Sequence, residues 1–161
     1  MSQIKNRITF NLILIFSVFA LGAAYFIQHI LGHKPCNLCL IERIPYIFAI
    51  IIISLCLILK KFEKSIIVFL ILIFLAATII SFYHFGIEQN FFKESLVCNL
   101  DGNIENLSKE DLIKELQQQT VSCKDVSFRI FGLSLATINT IISLILSVIT
   151  IKLFLNYGKN E

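Results

Sequence analysis

The chain is expected to fold as an all-α integral membrane four-helix bundle with two outer loops, and three observations carry that expectation. Hydrophobic residues make up 57% of 161, 15 of them Phe, and the mean hydropathy is +0.82. A soluble globule of this length needs more polar surface than such a composition supplies. The apolar residues gather into four stretches, 8–30, 40–59, 65–85 and 128–155, each near the ~20 residues that cross a ~30 Å hydrocarbon core. Most basic residues fall in alternate connections, on one side of these stretches. The net charge of +3 is divided among separate sites and forms no basic stripe, which argues against a nucleic-acid partner. The chain is expected to form a single domain over 1–161.

The first stretch, 8–30, follows Lys5 and Arg7. Ala20, Leu21 and Gly22 could pass for a weak signal-peptidase site, but the apolar run continues to Ile30, too long for the core of a signal peptide. The outer loop 31–39 comes next. The second span is counted from 40, because from Ile44 it would have only 16 residues, too few at ~1.5 Å per residue; this start keeps Glu42 and Arg43 at the interface. Pro45 cannot donate to the carbonyl of Ile41, so the first turn is expected to be distorted or the regular helix to begin beside it. The third span, 65–85, leads into a long polar segment, 86–127. There Ser108 and Asp111 resemble a capping box, with Leu107 and Leu112 as a hydrophobic staple. A short amphipathic helix is expected over 109–119, its Leu112, Ile113 and Leu116 stripe lying on the bilayer surface or packing on the loop. The fourth span, 128–155, completes the bundle.

Orientation follows from the Lys/Arg bias of short loops. Lys5 and Arg7, Lys60, Lys61 and Lys64, then Lys152 and Lys159 fall on one face, which is expected to be cytoplasmic together with both termini. The other face carries 86–127, with eight acidic residues against four lysines, and is expected to be periplasmic.

Four of the five cysteines, Cys36, Cys39, Cys98 and Cys123, lie on that outer face, where thiols meet an oxidising compartment. Cys36 and Cys39 have two residues between them at the head of a span, and Cys98 and Cys123 enclose 24, a loop whose disulfide is expected to be accessible from the aqueous side. A thiol at a helix N-terminus is acidified by the unpaired amide N–H groups, so the close pair has the makings of a redox centre. Inert staples would explain the loop pair, but a two-residue spacing removes little loop entropy. A four-thiolate zinc site lacks its second closely spaced pair, and no metal is expected. Cys56, deep in the second span, is expected to be a buried apolar residue without chemistry. A small transporter would place charges or broken helices at mid-bilayer, whereas Glu42, Arg43, Arg129 and Lys152 all sit near span ends.

The order of motifs resembles the disulfide bond formation protein B (DsbB) family. Gln28, His29, Gly32, Pro35, Cys36, Leu38, Cys39, Arg43, Pro45 and Tyr46 are similar to its first outer loop. Tyr83, His84, Gly86 and Glu88 resemble the end of its third helix, and Cys123 followed by Phe131, Gly132, Leu133, Ser134, Ala136 and Asn139 resembles the start of its fourth. The vitamin K epoxide reductase family shares the bundle and the chemistry, but there the Cys-x-x-Cys follows the loop pair; here it comes first.

The resemblance implies a multi-pass thiol oxidase of the bacterial inner membrane. Such an enzyme reoxidises a periplasmic DsbA-type thioredoxin-fold partner and passes the electrons to a quinone, ubiquinone or menaquinone. It implies catalytic roles for all four outer cysteines: attack by the partner at Cys98, exchange from Cys123 to Cys36, and Cys39 facing the quinone. Arg43, four residues after Cys39, would share its helical face if the helix reaches that far back, where a guanidinium would stabilise thiolate and quinone oxygen. His84 is the second candidate for the quinone site, as an interfacial hydrogen-bond donor or proton relay. The alternative is a stapled or metal-binding membrane protein without turnover.

Overall fold

The computed structural model describes residues 2–59, 63–93, 98, 122–124, 128–130 and 132–158. Helix α1 covers Ser2–His29, a short α2 covers Asn37–Ile41, α3 covers Ile44–Leu59 and α4 covers Glu63–Glu88. A two-stranded ribbon follows, β1 (Arg129–Ile130) antiparallel to β2 (Leu133–Ser134), and then α5, Leu135–Gly158. Four helical segments are long and apolar enough to cross a membrane, Arg7–His29, Asn37–Ile58, Glu63–Glu88 and Leu135–Asn156. The helix expected over 109–119 lies outside the described residues.

The bundle is built by neighbours in a chain of contacts: α1 packs on α3, α3 on α4, and α4 most extensively on α5, while α1 and α5 barely meet. The close α4–α5 seam follows from small buried side chains, Ala77 and Ser81 on one helix and Ala136, Ser143 and Ser147 on the other, which let backbones approach where lipid provides no hydrophobic drive. Three polar residues of α5 cost little there. Thr140, Ser143 and Thr150 each donate to a carbonyl one turn back in their own helix, a local satisfaction that lipid requires. Phe10, Ile13, Tyr46, Ile53, Ile67, Phe74 and Leu146 form the main core. Phe19, Ile58, Phe69 and Ile79 point outward, as expected of a lipid-facing surface rather than a wetted one.

Two starts differ from the sequence reading. The second crossing begins at Asn37, not 40, and is interrupted: α2 ends at Ile41, and α3 starts at Ile44 with Pro45 in its first turn, where a missing N–H is harmless. The fourth helix begins at 135 rather than 128. The preceding residues turn instead through Gly132, whose φ of +83° lets Arg129 pair with Ser134 and Ile130 with Leu133. Gly132→Ala should therefore destabilise the protein by about 1 kcal/mol or more, read as a lower midpoint of unfolding in a dodecyl sulfate titration. Ser134 then caps α5, its Oγ accepting from the Thr137 backbone N–H at 3.1 Å.

Candidate functional site

At one end of the bundle Cys36, Leu38, Ile87, Cys98 and Cys123 pack in one buried cluster, with Cys39, Ile41 and Tyr83 against it. All four outer cysteines are thus brought together. Cys98 and Cys123 are joined by a disulfide. Cys36 and Cys39 are unbonded, with their sulfurs 2.6 Å apart, so one pair is closed and the other is poised. Neither half-cystine of the loop pair is accessible: Cys98 is 4% exposed and Cys123 2%, against the expectation of a disulfide open to water. Cys56 is free and buried in the core, as expected.

Cys36 owes its place to local backbone. Gly32 at φ +72° turns the chain after α1, and Cys36, extended at φ −73° and ψ 168°, caps α2. Its sulfur takes the position of a capping oxygen and accepts from the Cys39 backbone N–H at 3.3 Å. The Cys39 thiol beside it, donating to the same sulfur, holds the Cys36 thiol below the ordinary cysteine range, helped by that backbone N–H and opposed by burial and by the charge of Glu42. The sign follows. A depressed thiol pKa contributes stability above the unfolded value of about 8.5, and that contribution is lost as pH falls through the folded value. In reduced protein the first step of the ultraviolet thiolate absorbance should come at lower pH than for an ordinary cysteine thiol, and Cys39→Ala, which removes the donor, should move that step upward.

His84, expected at a wetted interface, is 2% exposed. Its Nδ1 donates to Glu42 Oε1 at 2.8 Å, which leaves Nε2 as the acceptor facing Cys36 Sγ at 3.5 Å. Glu88 Oε1 stands 3.9 Å from the same nitrogen, and its other oxygen accepts from Ser134 Oγ.

Glu42 was expected at the interface and assigned no role. It is buried, 8% exposed, and its second oxygen accepts from Asn139 Nδ2 at 2.9 Å. Asn139 also donates to Ser81 Oγ at 2.7 Å and accepts from Tyr46 OH at 2.6 Å. One network therefore runs from Tyr46 on α3 through Asn139 on α5 and Glu42 to His84 on α4 and on to Cys36. An available signal was overlooked: an acidic residue inside an apolar crossing is costly unless partnered, and so marks a site by default.

Arg43 was expected to share the helical face of Cys39 if the helix reached that far back, and the helix is interrupted there. The interruption at Glu42 and Arg43 removes the continuous helix that would have set it on the face of Cys39. Its Nη1 donates to Gln28 Oε1 at 2.6 Å, and its guanidinium lies 5.0 Å from the centre of the Tyr25 ring, so it ties the break to the end of α1. An apolar groove of about 530 Å³ opens where α1 and α5 diverge, lined by Leu12, Phe16, Phe19, Ile142, Ile145 and Ile149. None of the cysteines lines it.

The model of the family described as "Disulfide bond formation protein DsbB" matches residues 6–153. An uncharacterized protein of Rickettsia prowazekii (strain Madrid E) is 31% identical over 154 residues, covering 94% of this chain and 89% of that one. A disulfide bond formation protein B of Vibrio vulnificus (strain CMCP6) is 50% identical over 40 residues, 25% of this chain and 23% of that protein. No solved structure gives a significant match. A family match of that extent, over a bundle whose cysteines converge at one end, means that the chain belongs to the DsbB family of membrane oxidoreductases that act in disulfide bond formation.

Proposed function

We propose that the chain reoxidises a DsbA-type thioredoxin-fold dithiol and delivers its electrons to a membrane quinone, with the cysteine end periplasmic and both termini cytoplasmic. The observation that carries this is the packing of a closed disulfide, Cys98–Cys123, in one cluster with the poised pair Cys36 and Cys39. Exchange between them needs no long transport of sulfur. The partner's thiolate attacks Cys98, the Cys98–Cys123 bond breaks, and Cys123 leaves as a thiolate. The partner's second thiol then resolves the mixed disulfide. Cys123 attacks Cys36 of the closed Cys36–Cys39 pair, Cys39 leaves, and Cys98 finally recaptures Cys123, which returns Cys36 reduced. Because Cys98 is buried, its cover must open for the first attack.

The residues beside Cys39 suit a quinone. Cys39 is half-buried at the head of an apolar crossing, Leu40 and Ile44 expose apolar surface next to it, and Arg43 can donate to a ring oxygen, as can His84 once Nε2 carries a proton. A bound quinone supplies a two-electron, two-proton acceptor for re-forming the Cys36–Cys39 disulfide. His84 Nε2, with Nδ1 fixed by Glu42, is placed to take the Cys36 proton. Arg43, anchored by Gln28 and Tyr25, holds a positive charge at the same level.

Purified protein given a reduced DsbA-type donor should reduce quinone. Arg43→Ala should raise the quinone KM or lower turnover by about 1 to 4 kcal/mol and leave exchange at Cys98 and Cys123 nearly unchanged. Arg43→Lys should be milder, since it keeps the charge and loses the planar fork. Gln28→Ala should reproduce part of the effect. Unaltered quinone kinetics in Arg43→Ala would reduce that residue to a helix anchor, and an absence of quinone reduction by the unmutated chain would overturn the proposed function.

A further inference from the structure

Three donor atoms converge at the head of the second crossing: Cys36 Sγ, Cys39 Sγ and a ring nitrogen of His84 all lie within 4.8 Å of one another, and Nε2 is the nitrogen that faces Cys36. We propose that the reduced chain binds one zinc ion on these three atoms and that the bound ion arrests turnover. The binding stands on geometry alone; the arrest rests on the thiol-oxidase function proposed above.

Distances favour a tetrahedral ion. Bonds of about 2.3 Å to sulfur and 2.0 Å to nitrogen place a sulfur and a nitrogen ligand about 3.6 Å apart, and two sulfurs about 3.8 Å apart. Cys36 Sγ and His84 Nε2 already stand 3.5 Å apart. The two sulfurs, at 2.6 Å, must separate by about 1 Å. A side-chain rotation at Cys39 can supply that, since this residue is only half-buried.

The surroundings of the histidine are those of a metal ligand. Glu42 accepts from Nδ1, which fixes the tautomer and turns the Nε2 lone pair toward the sulfurs, and Asn139 holds the other oxygen of Glu42. A carboxylate behind a ligating histidine is a recurrent outer shell of zinc sites, and losing it commonly weakens binding 10- to 100-fold. Charge balances as well. Two thiolates and a divalent ion sum to zero, so loading leaves no net charge at the head of an apolar span, whereas two bare thiolates would leave two negative charges. Binding releases the thiol protons that remain and changes no oxidation state. The fourth position falls to water, as in other three-ligand zinc sites. Thiolate and imidazole ligands exclude magnesium and calcium.

Oxidation and metal binding exclude each other at this site. A closed Cys36–Cys39 disulfide has no thiolates to offer, and a zinc-bound pair has none free to close or to be attacked by Cys123. The ion would therefore hold back the reduced form of the chain alone.

The test uses the full chain with Cys98→Ala and Cys123→Ala, so that the loop thiols cannot contribute, reduced and then freed of reductant in detergent. Equilibrium dialysis should find one zinc per reduced chain and none after diamide closes the pair. Cobalt(II) should give the visible bands of a tetrahedral site with thiolate charge-transfer absorption, and zinc should displace both. His84→Ala should lower zinc affinity at least 10-fold and shift the visible cobalt bands while keeping the charge transfer; Glu42→Gln should weaken binding within the 10- to 100-fold range. X-ray absorption of the zinc-loaded parent, which needs no histidine substitution, should count two sulfurs with nitrogen or oxygen completing the shell. Absent cobalt bands, zinc held equally by the oxidised chain, unchanged affinity in His84→Ala, or a sulfur count other than two would each overturn the site. Quinone reduction by the unmutated chain at saturating zinc should fall to background and recover with chelator, and undiminished turnover would overturn the arrest. A chain that binds zinc but never reduces quinone, metal-free or not, would keep the site and remove the proposed oxidase function.

Discussion

Cys98→Ser is expected to abolish reduction of the chain by a thioredoxin-fold dithiol partner while leaving the Cys36 and Cys39 pair able to carry electrons from a small dithiol to quinone. The loss is complete rather than graded, because a hydroxyl oxygen cannot accept a thiolate attack and form a mixed disulfide. Cys39→Ser should give the converse: a mixed disulfide still forms with the partner at Cys98, and quinone reduction stops, because Cys36 has lost the sulfur with which it closes. The two half-reactions are read separately, one by trapping the mixed disulfide and the other by quinone absorbance. The close packing of both pairs with Leu38 and Ile87 makes the separation a demanding test, since a substitution in a shared cluster could disturb its neighbour. Equal and total loss of both half-reactions in each variant, with helicity intact, would exclude a two-stage relay.

The membrane bundle was legible because its signal is composition over whole spans. A stretch of ~20 apolar residues needs no partner to be recognised, and the four cysteines stand at positions the chain order alone assigns to one face. What escaped is set by single residues acting across the bundle. Pro45 was seen to trouble the helix, but that the break would turn Glu42 inward and Arg43 toward Gln28 depends on α1 and α4, which lie far off in sequence. The ribbon before α5 hides in an apolar run, Phe128 to Ser134, because hydropathy does not register the positive φ of Gly132. His84 and Glu42 each look like interfacial residues when read alone. Their separation of 42 positions conceals a pair that only the α3–α4 packing creates, and Asn139, although quoted in the family pattern, acquires a role only as the donor that fills the second oxygen of Glu42. The loop disulfide was anticipated and its burial was not, since nothing local to Cys98 or Cys123 signals that both pack against Leu38 and Ile87.

The largest effect expected from a residue other than cysteine belongs to Glu42. Glu42→Ala removes the acceptor of two buried donors, His84 Nδ1 and Asn139 Nδ2. Asn139 keeps Ser81 as an acceptor, so the main loss falls on His84, whose ring N–H is left unpaired among apolar neighbours. A buried polar group stranded in this way costs about 1 to 3 kcal/mol, and breaking a buried charged pair about 3 to 5; about 3 kcal/mol of stability should disappear in a dodecyl sulfate titration. Turnover should fall by more than stability explains, because a ring freed from Glu42 can place its proton on Nε2 and so cease to accept from Cys36. Glu42→Gln separates the two effects. Its amide can present oxygen to His84, but its NH₂ then confronts the NH₂ of Asn139, so one contact survives and the other is lost. This variant should fold close to normally, retain part of its turnover, and shift the pH profile of Cys36–Cys39 closure, whereas Asn139→Ala should weaken stability with a smaller effect on that profile. If Glu42→Gln and Asn139→Ala moved stability and pH profile alike, Glu42 would be a packing residue of the bundle and not the group that orients His84.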